Sequence, residues 1–581
     1  MEKVKIAVID TGIYGECPCA HVISKSYALC KLDDLFSIKL ERPTDFVGHG
    51  TAVANIIYKQ NPNIDIISFR ICGEDMTIDE DGLLFVLKYI YYNIDVDLIN
   101  ISAGLTYLYK YSELKDICHN FSIKKTIIVS AFDNDGAITY PAALDEVIGV
   151  DTTSNYVNKN EIQYLRNSIV DILVPDIFYR TIWKQNRTVL KGTSFATARI
   201  TGIISTCLPI YEKDRLLSHI SNYTFELPST ANLSKPNFII QKAILFPINK
   251  ESHAILHFKH LLPFELCGVY DERLSGNVKK TICGYEVKSF DSINWEDDFD
   301  TIILSCTTQL SLLTNRNYYT EIISKSNKYN KNIYTFEDIK NEDKNIFFPK
   351  LTDSMTPIRN NGKLHKTTLP VVGVFGTSSK QGKYTLQIKI KDKLSKKGYN
   401  VGHIATEPSG YLLGADYVFH FGYHTYINMN PRNFIAILNE MVWNLQIAGK
   451  DILLTGCQSN TIHYDSPTID HLAIYQFAFA LGCLADLYVL CVNPHDEIDY
   501  IDRTIRFLNS IDCGVVSAIA IFPVQAQETI TGLHYTTRVL SDDEMLVHKQ
   551  KLHSIFHLPV YSMSDEVDLE KLSEHIIDFF A

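Results

Sequence analysis

Ser194, His49 and Asp10 are the residues whose types and settings could do chemistry together. Ser194 opens an apolar helical stretch in Gly192-Thr193-Ser194-Phe195-Ala196-Thr197. His49 stands in Gly48-His49-Gly50-Thr51, also at the head of a helical pattern, and Asp10 ends the apolar run Ile6-Ala7-Val8-Ile9. A serine hydroxyl at neutral pH is a weak nucleophile. It needs an imidazole to take its proton, and the imidazole needs a carboxylate to hold its tautomer and support its charge. These residue types, in the chain order Asp, His, Ser, point to acyl transfer through a serine if the fold gathers them.

The surrounding pattern suits that gathering. Apolar strands are expected at Ile6–Ile9, Ile64–Phe69, Asp97–Ser102 and Thr126–Ser130, and amphipathic helices at Thr51–Tyr58 and Asp81–Tyr92. Strands alternating with helices argue for a parallel sheet covered on both faces, with reactive groups at the carboxyl ends of its strands.

Residues 1–225 resemble a subtilisin-like serine peptidase of the S8 family, on the three motifs above and a fourth, Ile127-Ile128-Val129-Ser130-Ala131-Phe132-Asp133-Asn134 followed by Tyr140-Pro141-Ala142. The resemblance implies that Asp10, His49 and Ser194 form the catalytic relay and that Asn134 helps hold the oxyanion. It also implies that Ser102, Ala103 and Gly104 line the substrate cleft, where an extended peptide pairs with a strand edge. Departures are visible: Ala198-Arg199 replaces the family's usual Pro-His, and Phe132-Asp133 its Ala-Gly, which sets a carboxylate beside the expected oxyanion site.

A second chemical signal lies further on. The apolar strand Val371–Phe375 runs into Gly376-Thr377-Ser378-Ser379-Lys380-Gln381-Gly382-Lys383-Tyr384-Thr385, then into a helix. Strand, glycine loop with lysine, and helix form the setting in which backbone N–H groups and a helix N-terminus wrap phosphates. Gly376, Thr377, Gly382, Lys383 and Thr385 are the candidate nucleotide contacts, with ATP and Mg the cofactors such a loop would take. Tyr384 stands where a magnesium-binding hydroxyl is expected, and Thr385 follows it. The loop is similar to those of dethiobiotin-synthetase-like P-loop proteins, and closer to a family once catalogued as a domain of unknown function, some members of which N-acetylate D-glutamate. Ala405–Gly414 and Leu454–Ser459 are similar to further segments of that family, although Thr455 and Cys457 replace its glutamate and glycine.

The chain of 581 residues is longer than one core normally organises. The expected domains are 1–225, a small Rossmann-like α/β domain at 240–345 and a P-loop α/β domain at 367–581, with the polar stretch Asn341–Lys366 as a linker. The small domain has no G-x-G-x-x-G turn, so nothing supports a dinucleotide there. The net charge of −12 argues against a general nucleic-acid binder. The apolar stretch Leu472–Val492 reads as a buried helix, a turn and a buried strand rather than a membrane span, because Asp486 would sit in mid-bilayer. The 13 scattered cysteines make no zinc set, and with no signal peptide at the start the expected location is cytoplasmic, with free thiols. No metal is expected for the first region. Basic residues at Lys389, Lys391, Lys393, Lys396 and Lys397 read as the wet face of a helix.

The leading expectation is a serine endopeptidase that cleaves a specific peptide or precursor, such as a leader, fused to a nucleotide-binding half. An ATP-dependent or acyl-CoA-dependent modifier of amino acids or peptides, with the peptidase region as scaffold, is the alternative. Nucleotide gating of the peptidase is a third reading. Oligomeric state is left open.

Overall fold

The computed structural model describes residues 3–33, 35–73, 77–233, 235–273, 281–339, 343–421, 429–465, 473–512, 514–528 and 535–581. Asn341 and Glu342, at the start of the expected linker, and Leu472 lie outside the described residues. The chain is α/β throughout and divides into two compact units, Met1–Thr230 with Pro357–Thr368, and Ala231–Thr356 with Leu369–Ala581.

The first unit is built on a ten-stranded sheet. Its centre is Val4–Asp10, flanked in parallel by Ile64–Arg70 and Leu98–Ile101, with Ile127–Ala131 and Val147–Thr153 beyond. These strands are near-continuous apolar runs because helices cover both faces. The helices His49–Gln60 and Thr193–Cys207 pack on one face, where Val53, Ile56, Ala196 and Ile200 share a core with Ile6, Val8 and Val129. Packing both helices against the same sheet brings their N-termini to the strand ends that carry Asp10 and Ser102.

The polar stretch read as a linker has more structure than its composition suggested. Pro357–Thr368 returns to the first unit and packs beside the segment that carries Asn134. Ile138 N–H donates to the Leu364 carbonyl at 3.0 Å, and Ile169 N–H to that of Arg359 at 2.9 Å. Lys363 forms an ion pair with Asp151 at 2.8 Å, both side chains largely withdrawn from water, and lies over the Phe132 ring. Arg359 pairs with Asp145 at 2.8 Å. Polar residues that satisfy one another across a contact look in sequence like a solvated tether.

The second unit holds two seven-stranded sheets. The smaller α/β region centres on Lys242–Phe246, between Glu265–Tyr270 and Thr301–Leu304. The P-loop sheet centres on Val371–Gly376, parallel to both Ile452–Gly456 and Leu487–Val492. The regions 240–345 and 367–581, expected as separate domains, cluster here as one compact unit. The stretch that raised the membrane question resolves into the helix Ile474–Cys483 and the wholly buried strand Leu487–Val492. Among the described residues no helix is long and apolar enough to cross a membrane.

Of the five lysines read as a wet face along the helix Lys383–Lys396, Lys396 stays exposed and pairs with Asp392, Lys391 donates to the Gly414 carbonyl, and the other three form a seam. Lys389, Lys393 and Lys397 pair with Glu566, Glu570 and Glu574 on the helix Glu566–Phe580.

Candidate active site

The site assembles at the carboxyl end of Val4–Asp10. Asp10 is 2% exposed, and its Oδ1 lies 2.7 Å from His49 Nδ1. The Thr11 N–H donates to the same oxygen at 2.7 Å, which fixes the carboxylate plane. Asp10 Oδ2 is buried without a hydrogen-bond partner. An unsatisfied buried carboxylate oxygen is costly, and a positive charge forming on the adjacent imidazole relieves that cost.

His49 begins its helix. Burial is the largest single influence on the imidazole and disfavours its charged form; the Asp10 charge, the Asp10 hydrogen bond and the Asp45 charge oppose it and together raise the pKa above the ordinary histidine value. The ring is framed by Phe195, 5.3 Å between centroids, and by the edge of Trp183 at 6.1 Å. Gly50 must be glycine: a Cβ there would stand 2.1 Å from the Gly12 carbonyl oxygen and 3.1 Å from Asp10 Oδ1.

Asp45 is a supporting residue that the sequence reading missed. It is buried and accepts hydrogen bonds from the N–H groups of Val47, Gly48 and Thr51 and from the hydroxyls of Thr11 and Thr51, at 2.6–3.0 Å. The Thr11 hydroxyl in turn accepts from Gly50 N–H at 2.9 Å. The carboxylate satisfies the orphan donors at the start of the histidine helix and complements its dipole, so it sets where His49 stands. The available signal was an acid a few residues before the Gly-His-Gly, a common cap position. Asp45→Ala strands several buried donors, and urea unfolding should show a loss of about 3 kcal/mol. A loss under about 0.5 kcal/mol, the range of ordinary surface substitutions, would contradict this positioning role.

Ser194 is the second residue of its helix, half-buried beside Phe195. Its Oγ donates to the Ser102 carbonyl at 2.8 Å, and no hydrogen bond joins it to His49. The expected relay is therefore formed on its Asp10–His49 side and open on its His49–Ser194 side. A serine hydroxyl changes direction by one staggered rotation about Cα–Cβ. Below it lies a buried polar rail: Thr201 Oγ1 donates to Asn100 at 2.8 Å, Asn100 Nδ2 to Ser102 Oγ at 2.9 Å, and Ser102 Oγ to the Ser194 carbonyl at 3.2 Å. Asn100 and Thr201 were absent from the sequence reading, since one sits in a strand run and the other mid-helix.

Asn134 comes to the same turn. Its Oδ1 accepts from Thr193 N–H at 3.1 Å and from the Thr193 hydroxyl at 3.2 Å. Among the described residues the Asn134 Nδ2 amide and the Ser194 N–H have no acceptor, leaving two donors free beside the nucleophile. Asp133 does not turn into that space: its Oδ2 accepts from Asp135 N–H at 3.0 Å, closing its own turn. Ala103 and Gly104 follow Ser102 with no backbone hydrogen bonds of their own among the described residues, just before the bridge between Leu105 and Tyr140. A Cβ on Gly104 would lie 2.2 Å from Thr139 Cγ2.

The phosphate-type loop of the second unit is a separate site. Ser379–Thr385, with Gly382, Lys383 and Thr385 among them, lines a cleft of about 890 Å³ together with Thr406, Glu407, Cys457–Ser459, His253 and His257. The loop is held closed by its own side chains. Gln381, 1% exposed, donates to the Thr377 hydroxyl at 2.6 Å and accepts from Ser378 N–H at 3.0 Å. Lys383 Nζ donates to the Ser378 carbonyl at 2.6 Å. Thr377 and Gly376 are buried, and the Thr377 hydroxyl turns to Asp496. Gln381 and Asp496 thus stand at the loop where the sequence reading placed a phosphate. Among the described residues no cluster of metal-ligating side chains is present.

Comparisons with known proteins fall on the same two regions. Residues 1–219 match the subtilase family model (Peptidase_S8), and residues 359–572 match the model described as a domain of unknown function (DUF1611_C), P-loop domain. The subtilisin-like protease SBT6.1 of Arabidopsis thaliana is 26% identical over 290 residues, 44% of this chain but only 26% of the plant protein. Subtilisin DY of Bacillus licheniformis is 24% identical over 226 residues, 36% of this chain and 78% of that one. Similar solved structures include a cold-adapted subtilisin-like serine proteinase, with 20% identity, 37% of this chain and 80% of that chain covered, and a TM-score of 0.30. A DUF1611 family protein from Anabaena variabilis has 14% identity, 58% and 100% coverage, and a TM-score of 0.41. The chain therefore carries a subtilase-family domain at its N-terminus and a DUF1611 P-loop domain at its C-terminus.

Proposed function

We propose that the first unit is a serine endopeptidase acting on a narrow set of peptides or precursors. The observation that carries the reading is the 2.7 Å Asp10–His49 hydrogen bond beside a serine at a helix N-terminus. In the proposed mechanism Ser194 rotates from the Ser102 carbonyl toward His49 as the peptide enters. His49 takes the proton while Ser194 Oγ attacks the scissile carbonyl, and Asp10 supports the imidazolium. The oxyanion meets the two unpaired donors, Asn134 Nδ2 and the Ser194 N–H, aided by the positive end of the helix dipole. His49 then returns the proton to the leaving amine, and water repeats the sequence on the acyl-enzyme. The free backbone groups of Ala103 and Gly104 favour an extended substrate lying along that edge.

Narrow specificity, with leader removal from a precursor as the leading case, is proposed from the fusion of this unit to a P-loop unit. Described cysteines that are all free favour a reducing compartment, in keeping with a cytoplasmic location. The test is incubation of the purified protein with a diverse peptide pool, followed by mass spectrometry. Defined cleavage products absent with Ser194→Ala support the reading; no cleavage, or cleavage that Ser194→Ala retains, sinks it.

The cleft around Lys383 supports a second reading for the other unit, binding of a nucleotide or an acyl-CoA through its phosphates. Lys383, Thr385 and the N-terminus of their helix suit phosphate oxygens once Gln381 swings out of the loop. ATP with Mg and a coenzyme A thioester are the probes to compare by calorimetry, with Lys383→Ala as the variant that should lose binding.

A further inference from the structure

A groove of about 800 Å³ lies on the first unit, between the outer half of the His49–Gln60 helix and the hairpin Tyr179–Trp183/Asn186–Leu190. Asn55, Tyr58, Lys59, Arg180, Thr181 and Arg187 are among the residues lining it. The hairpin is anchored to the helix. Thr181, buried in the ribbon, donates to the Ala52 carbonyl at 2.9 Å and accepts from Asn55 Nδ2 at 3.1 Å. In the antiparallel register Arg180 opposes Val189 and Ile182 opposes Arg187, so both arginines rise from the same face of the ribbon, on a diagonal. The Lys59 ammonium is held beside them by a 2.7 Å hydrogen bond to the Arg180 carbonyl.

The groove gathers charge without compensation. Several other basic side chains of this unit do meet acids: Arg70 with Glu41, Lys191 with Asp176, Lys213 with Asp171, Arg359 with Asp145. Lys59, Arg180 and Arg187 are exposed, and none of them forms an ion pair among the described residues. The Lys59 pKa is lowered, first by partial burial and then by the charges of Arg187 and Arg180, with no acid opposing them. Gathering three like charges around a concavity is unfavourable by itself. An anion in the groove removes that penalty.

The groove is also wired to the candidate active site. The turn end of the hairpin carries Trp183, edge-on to His49 and against Gly48. The strand that leaves the groove ends at Leu190, directly before the Lys191–Ser194 turn. From His49 to Lys59 the helix rises about 15 Å. An extended peptide covers that distance in about four to five residues.

We propose that this groove is an exosite for acidic side chains of the peptide being cleaved, engaging glutamates or aspartates about four to five residues from the scissile bond. This rests on the peptidase reading, and its test separates the two. Binding is measured on Ser194→Ala protein, where turnover cannot interfere, by fluorescence anisotropy with a labelled hexaglutamate peptide and a hexaglutamine control. Hexaglutamate should bind more tightly than the control, and its affinity should fall as salt is raised. Adding Arg180→Gln and Arg187→Gln should weaken it about tenfold, two exposed charge pairs being removed, with the unfolding midpoint unchanged. Equal binding of the two peptides, or full hexaglutamate binding after both arginine replacements, overturns the exosite. So does a short single-stranded RNA that displaces hexaglutamate at lower concentration, since the groove would then prefer phosphates. Active-site labelling of Ser194 in the Arg180→Gln/Arg187→Gln protein is read in parallel. Its loss in the parent protein as well would sink the peptidase reading without touching the binding result.

Discussion

Ser194→Ala should lower kcat/KM for any cleaved peptide on the order of a millionfold, leaving only what binding and the two free donors provide. The size follows from the chemistry. Without Oγ there is no acyl-enzyme, and neither His49 nor Asp10 has a proton to relay. KM should change little, because the Ser194 side chain touches the substrate only at the reacting carbon and its N–H survives the substitution. The alanine also removes the hydrogen bond to the Ser102 carbonyl, so the unfolding midpoint is measured alongside. A stable variant that keeps more than about one part in a thousand of the activity would place the nucleophile elsewhere, since the residual activity of a broken relay is far smaller.

Asp10→Asn should cost about 10⁴-fold in kcat/KM and should also move its pH profile. The direction is fixed by the causes. His49 acts as a base only when neutral, so activity is lost as pH falls through its pKa. In the native protein that pKa is raised because Asp10, through charge and hydrogen bond, and Asp45, through charge, outweigh the effect of burial. The acidic limb should therefore lie above the ordinary histidine value. The amide in place of the carboxylate removes the Asp10 charge and leaves burial, which lowers the pKa, so the acidic limb of the residual activity should move to lower pH. A limb that stays in place, or moves up, would mean that another group sets it. The same linkage applies to stability. A histidine with a raised folded pKa stabilises the fold when it is protonated, fully below the unfolded value, and that contribution disappears as pH rises through the folded value.

Much of this was legible in the residues, and the rest was hidden for definable reasons. The strands around Asp10 and Asn134 were readable because a buried parallel strand is a run of apolar residues, and Val4–Asp10 and Ile127–Ala131 are such runs. The starts of the His49 and Ser194 helices were readable from their glycine-led turns. Asp45 was not, because its role depends on a loop folding back over the helix start, and its spacing alone looks like ordinary turn chemistry. The direction of the Ser194 hydroxyl, toward the Ser102 carbonyl, was beyond sequence, being a rotamer choice. Of the expected linker Asn341–Lys366, the part from Pro357 onward belongs to the first unit through polar contacts, Lys363 with Asp151 and Arg359 with Asp145, which leave no apolar signature. The glycine loop was recognised from its setting, but Gln381 inside it gave no warning: a glutamine is as common in a solvated loop as in one it fills. Lys389, Lys393 and Lys397 look solvated in sequence because their partners, Glu566, Glu570 and Glu574, lie far along the chain.

The most direct measurement is labelling of the folded full-length chain with a fluorophosphonate, with the modified residue located by peptide mass spectrometry. A single adduct on Ser194, absent after denaturation and strongly slowed in Asp10→Asn, is the result this account predicts. A folded protein that shows no adduct on Ser194, or one labelled equally well after denaturation, would contradict it.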